Sequence, residues 1–126
     1  MPKYDKVRYS PPAPVAETTL RCLETQATVG NVVMLLDTGS DLTLVSRKAV
    51  DRLGVSPVPN QQFELMGFDG SRSSASVVVL DLILNGKAFR GPYVLSDDDV
   101  GIIGRDVLNH LSLEFDGPAL EWNVSK

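Results

Sequence analysis

The stretch that most limits how this chain can fold is Val32-Val33-Met34-Leu35-Leu36, which runs straight into Asp37-Thr38-Gly39-Ser40. Consecutive apolar residues of this kind can be covered on both faces only inside a sheet, so they predict an interior strand. A carboxylate, a hydroxyl, a glycine and a second hydroxyl cannot continue such a strand. The chain must therefore leave its core at a turn and carry an acid out with it. The same four residues are ordinary turn chemistry, so by themselves they leave a structural and a catalytic role equally open.

A second apolar segment, Val100-Gly101-Ile102-Ile103-Gly104-Arg105-Asp106-Val107-Leu108, adds to the first. Together the two resemble the retropepsin-like aspartic proteases, whose half-sized subunits carry one Asp-Thr-Gly loop and, later, an Ile-Ile-Gly-Arg segment leading into a short helix. Order, spacing and intervening pattern agree over roughly residues 19 to 116. The resemblance implies an all-β chain with the small, closed, barrel-like acid-protease fold and one or two short helices. It also implies an aspartic endopeptidase.

Counting residues removes competing chemistries. One histidine, His110, and one cysteine, Cys22, cannot build a His or Cys metal cluster. Gly101-Ile102-Ile103-Gly104-Arg105 lacks the lysine and spacing of a phosphate-cradling loop, so no metal and no cofactor are expected. A net charge of −4, with no basic run longer than Arg47-Lys48, makes neither nucleic acid nor an anionic membrane an expected partner. No apolar stretch approaches the ~20 residues that cross a bilayer. Met1 to Thr19 has no hydrophobic segment of signal-peptide kind. The expected location is cytoplasmic, or within a larger polyprotein or particle.

Along the chain, Pro2, Pro11, Pro12 and Pro14 predict a flexible, proline-rich arm over residues 1–17, with the folded domain spanning 18–126. Gly30-Asn31 between two β-rich runs predicts a hairpin turn. Ser46 to Gly54 reads as a short helix with a serine cap and a glycine stop. Phe63 to Met66 and Ser76 to Leu84 flank a polar, glycine-bearing centre and read as a hairpin. Asn85-Gly86 signals a further turn, and Gly91-Pro92 a break in the strand that follows. Ser96-Asp97-Asp98-Asp99 lacks the glycine and glutamate of a calcium loop and reads as a solvated turn. Asp106 to His110 suggests a short helix.

The resemblance assigns roles residue by residue. Asp37, Thr38 and Gly39 would form the catalytic loop, Asp37 as the acid, Thr38 as a cross-axis tie, and Gly39 for close backbone approach. Ser40 would donate its hydroxyl to the carboxylate. Asp41 would pair with Arg105 and brace the loop. The hairpin tip Gly67-Phe68-Asp69-Gly70 would be a flap over an extended peptide or protein substrate, and Leu42, Phe68 and Ile102 would lie near its side-chain pockets. No internal repeat supplies a second acid loop, so an enzyme of this type must be a homodimer, with one Asp37 from each chain at the two-fold axis. Trp122, near the end of the chain, suggests the final strand as the contact between copies. The competing reading is a dimeric peptide-binding or assembly module of the same fold with little or no hydrolysis.

Overall fold

A computed structural model describes residues 2–66 and 69–125. The elements are β1 (Tyr4–Asp5), β2 (Ala13–Arg21), β3 (Thr28–Leu36), β4 (Leu44–Ser46), α1 (Arg47–Leu53), β5 (Gln62–Met66) and β6 (Arg72–Leu84), followed by β7 (Lys87–Ser96), β8 (Gly101–Ile103), α2 (Arg105–Leu108), β9 (Leu113–Asp116) and β10 (Glu121–Val124). Eight strands form one sheet in the order β1-β2-β3-β8-β4-β7-β6-β5, and β2 pairs additionally with β6. That extra pairing turns β2, β3, β8, β4, β7 and β6 into a closed circuit. The expected all-β, barrel-like architecture with two short helices is the one observed. No helix among the described residues is long and apolar enough to cross a membrane.

The circuit encloses the apolar runs seen in the sequence. Leu20, Met34, Val45, Leu80, Leu82 and Ile103 have no measurable or almost no exposure. At about 25 cal/mol per Å² of apolar surface, each leucine so buried contributes roughly 2 kcal/mol before the entropy of ordering it is counted. α1 closes one side of this core with Ala49, Val50 and Leu53, and ends as its sequence suggests. Gly54 adopts φ 80°, and its N–H returns to the Val50 and Asp51 carbonyls. Ser46 occupies the N-cap position, though its side chain makes no capping bond.

One charged group lies inside the closure. Asp81, 1% exposed, faces Arg21 across β2–β6 and Arg90 across β6–β7. Arg21 donates to its carboxylate through Nε (3.1 Å) and Nη2 (2.8 Å), and Arg90 through Nε (3.0 Å). These hydrogen bonds, Arg90's first, hold the Asp81 carboxyl below the usual carboxylate range against the opposing cost of burial.

Three local expectations are corrected. Gly30-Asn31 lies within β3 and is not the hairpin turn. Thr18 faces Val32 while Leu20 faces Val29, so β3 carries one extra residue there, and Asn31 takes φ 55°. This is a β-bulge at a residue tolerant of the left-handed region. The reversal itself is made at Cys22–Ala27, where the Cys22 N–H donates to the Ala27 carbonyl at 2.9 Å. The boundary expected at residue 18 falls inside β2, which begins at Ala13. Pro14 precedes the first β2–β3 pair, Val15 with Leu35, and stands opposite Tyr4 of the two-residue β1. Likewise, β7 runs unbroken through Gly91-Pro92, because β4 pairs with β7 only from Val94 onward and leaves that edge free at Pro92.

The ends of the chain meet each other. Tyr4 N–H donates to the Leu120 carbonyl (2.9 Å) and Trp122 N–H to the Pro2 carbonyl (3.1 Å). β9 and β10 form a separate two-stranded sheet. Trp122 is 3% exposed within the single chain, and its indole N–H donates to the Val15 carbonyl at 2.8 Å. Its burial needs no second copy, which removes the reason for placing a subunit contact there.

Candidate active site

β3 delivers Asp37 to the surface by pairing in parallel with β8, Leu36 opposite Ile103. The last rung is the Asp37 N–H to the Ile103 carbonyl at 3.0 Å. The chain then turns tightly, and the Ser40 N–H returns to the Asp37 carbonyl at 3.2 Å. The side chain is held from the same turn: Gly39 N–H donates to Asp37 Oδ1 at 2.9 Å. A Cβ on Gly39 would stand 3.2 Å from that oxygen, so a side chain there would crowd the carboxylate. Asp37 is half-buried and Thr38 and Gly39 are exposed. Among the described residues, Asp37 Oδ2 has no hydrogen-bond partner and no cation pairs with the carboxylate.

The Gly101–Asp106 segment braces this loop from beneath. A Cβ at Gly101 would overlap the Leu44 carbonyl oxygen, and one at Gly104 would overlap the carbonyl oxygen of Leu42. Both glycines are there because two backbones cross at contact distance. Arg105 N–H donates to the Ser40 carbonyl (2.9 Å), and its Nη1 donates to the Thr38 carbonyl (2.7 Å). Asp106 takes two bonds from Thr43, one from the N–H (3.1 Å) and one from the hydroxyl (2.5 Å). The Thr43 oxygen in turn accepts the Gly104 N–H at 3.0 Å.

Asp37, Thr38, Gly39, Ser40, Leu42 and Arg105 thus gather at one loop, with Ile102 beside it opposite Leu44. Two expected contacts are absent. Arg105 braces the loop through the Thr38 carbonyl and not through Asp41, which is exposed and joins no ion pair among the described residues. Ser40 Oγ donates to the Leu42 carbonyl at 2.7 Å and is unavailable to the Asp37 carboxylate within the chain. Asp69 and Gly70 lie at the exposed tip of the β5–β6 hairpin, Asp69 Oδ1 accepting the Ser71 N–H at 2.9 Å. No hydrogen bond joins that tip to the loop among the described residues. Gly67 and Phe68 lie outside the described residues.

The sequence reading missed Thr43 and Asp106. Thr43 has no exposure, and a buried threonine two residues past an exposed acid is the sort of position where a hydroxyl needs a partner. That signal was present but does not say which of the chain's carboxylates answers it. Clefts of about 390 and 410 Å³ lie away from the loop, one between Val15, Leu84 and Trp122, the other between Arg8, Val32 and Lys48. Asp37 borders neither.

Comparison with known proteins adds a family and a fold to this description. The aspartyl protease family profile matches residues 26–107, a span that includes the acid loop, the hairpin and the bracing segment. No curated protein sequence matches the chain. Among solved structures, the EIAV protease complexed with the inhibitor HBY-793 superposes with a TM-score of 0.61 over 84% of this chain and 91% of that one. The two are 19% identical, a likeness of fold. With the family profile matched across more than half of the chain, this chain belongs to the aspartyl proteases, and its fold is the retropepsin-like one.

Proposed function

We propose that the protein is an aspartic endopeptidase that works as a homodimer, each copy supplying one Asp37. Hydrolysis without metal or covalent intermediate needs a base to take a proton from water and an acid to protonate the carbonyl oxygen and then the leaving nitrogen. A single carboxylate cannot be both at once. Two carboxylates at hydrogen-bond distance divide the work, as is established for aspartic proteases as a class: like charges so close share one proton, and the titration belongs to the pair. Water held between them attacks the peptide carbonyl as one Asp37 accepts its proton and the other donates.

The observation that carries this reading is the free edge of the carboxylate. Gly39 holds Oδ1 by a neutral amide, and Oδ2 has no hydrogen-bond or ion-pair partner among the described residues. Thr38, exposed beside it, would tie to the second loop across the axis. An extended peptide would add as a strand between the loops and the β5–β6 hairpins, with Leu42 and Ile102 near its side chains. The test is cleavage of an unfolded protein from acidic to neutral pH, with oligomeric state measured by sedimentation. A dimer whose activity is lost in Asp37→Asn and blocked by pepstatin-type inhibitors is expected. A stable dimer with no cleavage at any pH would replace the enzyme with a peptide-binding module, and a strict monomer would end both.

A further inference from the structure

We infer that Asp106 is a positioning residue for the acid loop: it sets where the Asp37 carboxylate stands without touching substrate. The inference rests on the catalytic reading of Asp37, and its evidence is independent of that reading. The loop enters from β3 on a regular ladder; at its exit, just before β4, the Thr43 carbonyl accepts one backbone bond from the Val94 N–H (3.2 Å), while the Thr43 N–H has no backbone partner. Asp106 anchors the other two polar groups of Thr43 by accepting both its N–H and its hydroxyl. The hydroxyl is also the acceptor for Gly104 N–H, so Gly104, Thr43 and Asp106 form one directional string ending on a carboxylate. Such charge-assisted bonds are stronger than neutral ones, and a string polarises each of its members. The neighbouring Arg105 holds the Thr38 carbonyl. Two consecutive residues at the start of α2 therefore grip the loop at its beginning and at its end.

A loop gripped at both ends has one geometry, and displacement of a reacting group by about 1 Å costs on the order of 100-fold in rate. Replacing Asp106 by alanine removes both Thr43 bonds. Asp106→Asn retains an acceptor for the Thr43 N–H and offers its amide to a hydroxyl able to accept a second bond. We expect Asp106→Ala to lower kcat on a peptide substrate by about 10- to 100-fold with KM within about twofold, and Asp106→Asn to recover at least about tenfold of a 100-fold loss. In parallel, amide hydrogen exchange should rise about tenfold at Gly39 and Ser40 in Asp106→Ala and stay at parental rates at Leu80 and Val94. Exchange needs no activity, so an inactive parent would overturn the catalytic reading while leaving this measurement decisive. Parental exchange at Gly39 and Ser40, or acceleration spread equally through the core, would overturn the positioning role. Should Asp106→Ala fail to fold, Thr43→Val against Thr43→Ser makes the same comparison: the serine retains the hydroxyl and should behave as the parent, and equal behaviour of the two overturns the inference.

Discussion

Asp37 and Asp81 belong to the same closed circuit, one just past the end of β3 and the other within β6, and their surroundings are opposite. Asp81 is buried with both oxygens committed to arginines on the two neighbouring strands. Asp37 is half-exposed, one oxygen held by a backbone amide and the other unengaged among the described residues. A carboxylate locked between cations is fixed in its ionised form and can neither lend nor take a proton near neutral pH. One held by a neutral amide carries no counter-charge from the chain, while its position stays defined. Arg105 sits close enough to reach Asp37's own loop, yet its guanidinium goes to the Thr38 carbonyl. It thus braces the loop without neutralising the acid.

Exchanging the two environments' defining groups should separate activity from stability. Asp37→Asn is expected to cut cleavage by at least about 1,000-fold while leaving the thermal midpoint within a few degrees, read by peptidase assay and calorimetry on one sample. Gly104→Ala should lower both, through the loop's support. Its Cβ has no room beneath Leu42, so a loss of about 3 kcal/mol is expected in denaturant titration, with activity falling as the loop shifts. Asp81→Asn should cost about 2 kcal/mol at neutral pH, less than a fully buried pair because both arginines reach solvent, and should leave kcat within about twofold.

The pH dependence of that last difference has a definite sign. Asp81 titrates lower in the folded chain than its ordinary value of 3.8, so its contribution is complete above that value and is lost as pH falls through the lower folded one. The gap in stability between parent and Asp81→Asn should accordingly be flat at neutral pH and close only in strong acid; a gap already closing at neutral pH would mean the arginines are not its source. Ser40→Ala is expected to be the mildest change, about 1 kcal/mol for the lost bond to Leu42. The acidic limb of its pH–rate profile should overlie the parent's, because the hydroxyl does not reach the carboxylate.

The parts of this arrangement that could be read from the sequence are those set by local chemistry. The Val32–Leu36 run had to be an interior strand, Gly54 had to end its helix, and Asn85-Gly86 had to turn, as their φ values of 52° and 77° bear out. What escaped was decided by partners far along the chain. Gly30-Asn31 carries the same backbone preference in a bulge as in a turn, and only the register with β2 distinguishes them. Arg105 could equally have met Asp41 or a carbonyl. Asp106 meets Thr43 across a separation no local pattern encodes. Gly101 and Gly104 were visible as a motif, but the reason for them, two backbones in contact, exists only in three dimensions.

β6 changes partners midway along its length. From Arg72 to Ser76 it is bonded to β5, and from Val77 to Leu84 to β7, and its side chains pass from exposed to buried at the same point. At that junction neither ladder spans both halves, so a bend between Ser76 and Val77 breaks no rung in either. A bend within the inner half, by contrast, would break the β6–β7 ladder and pull Asp81 from its two arginines.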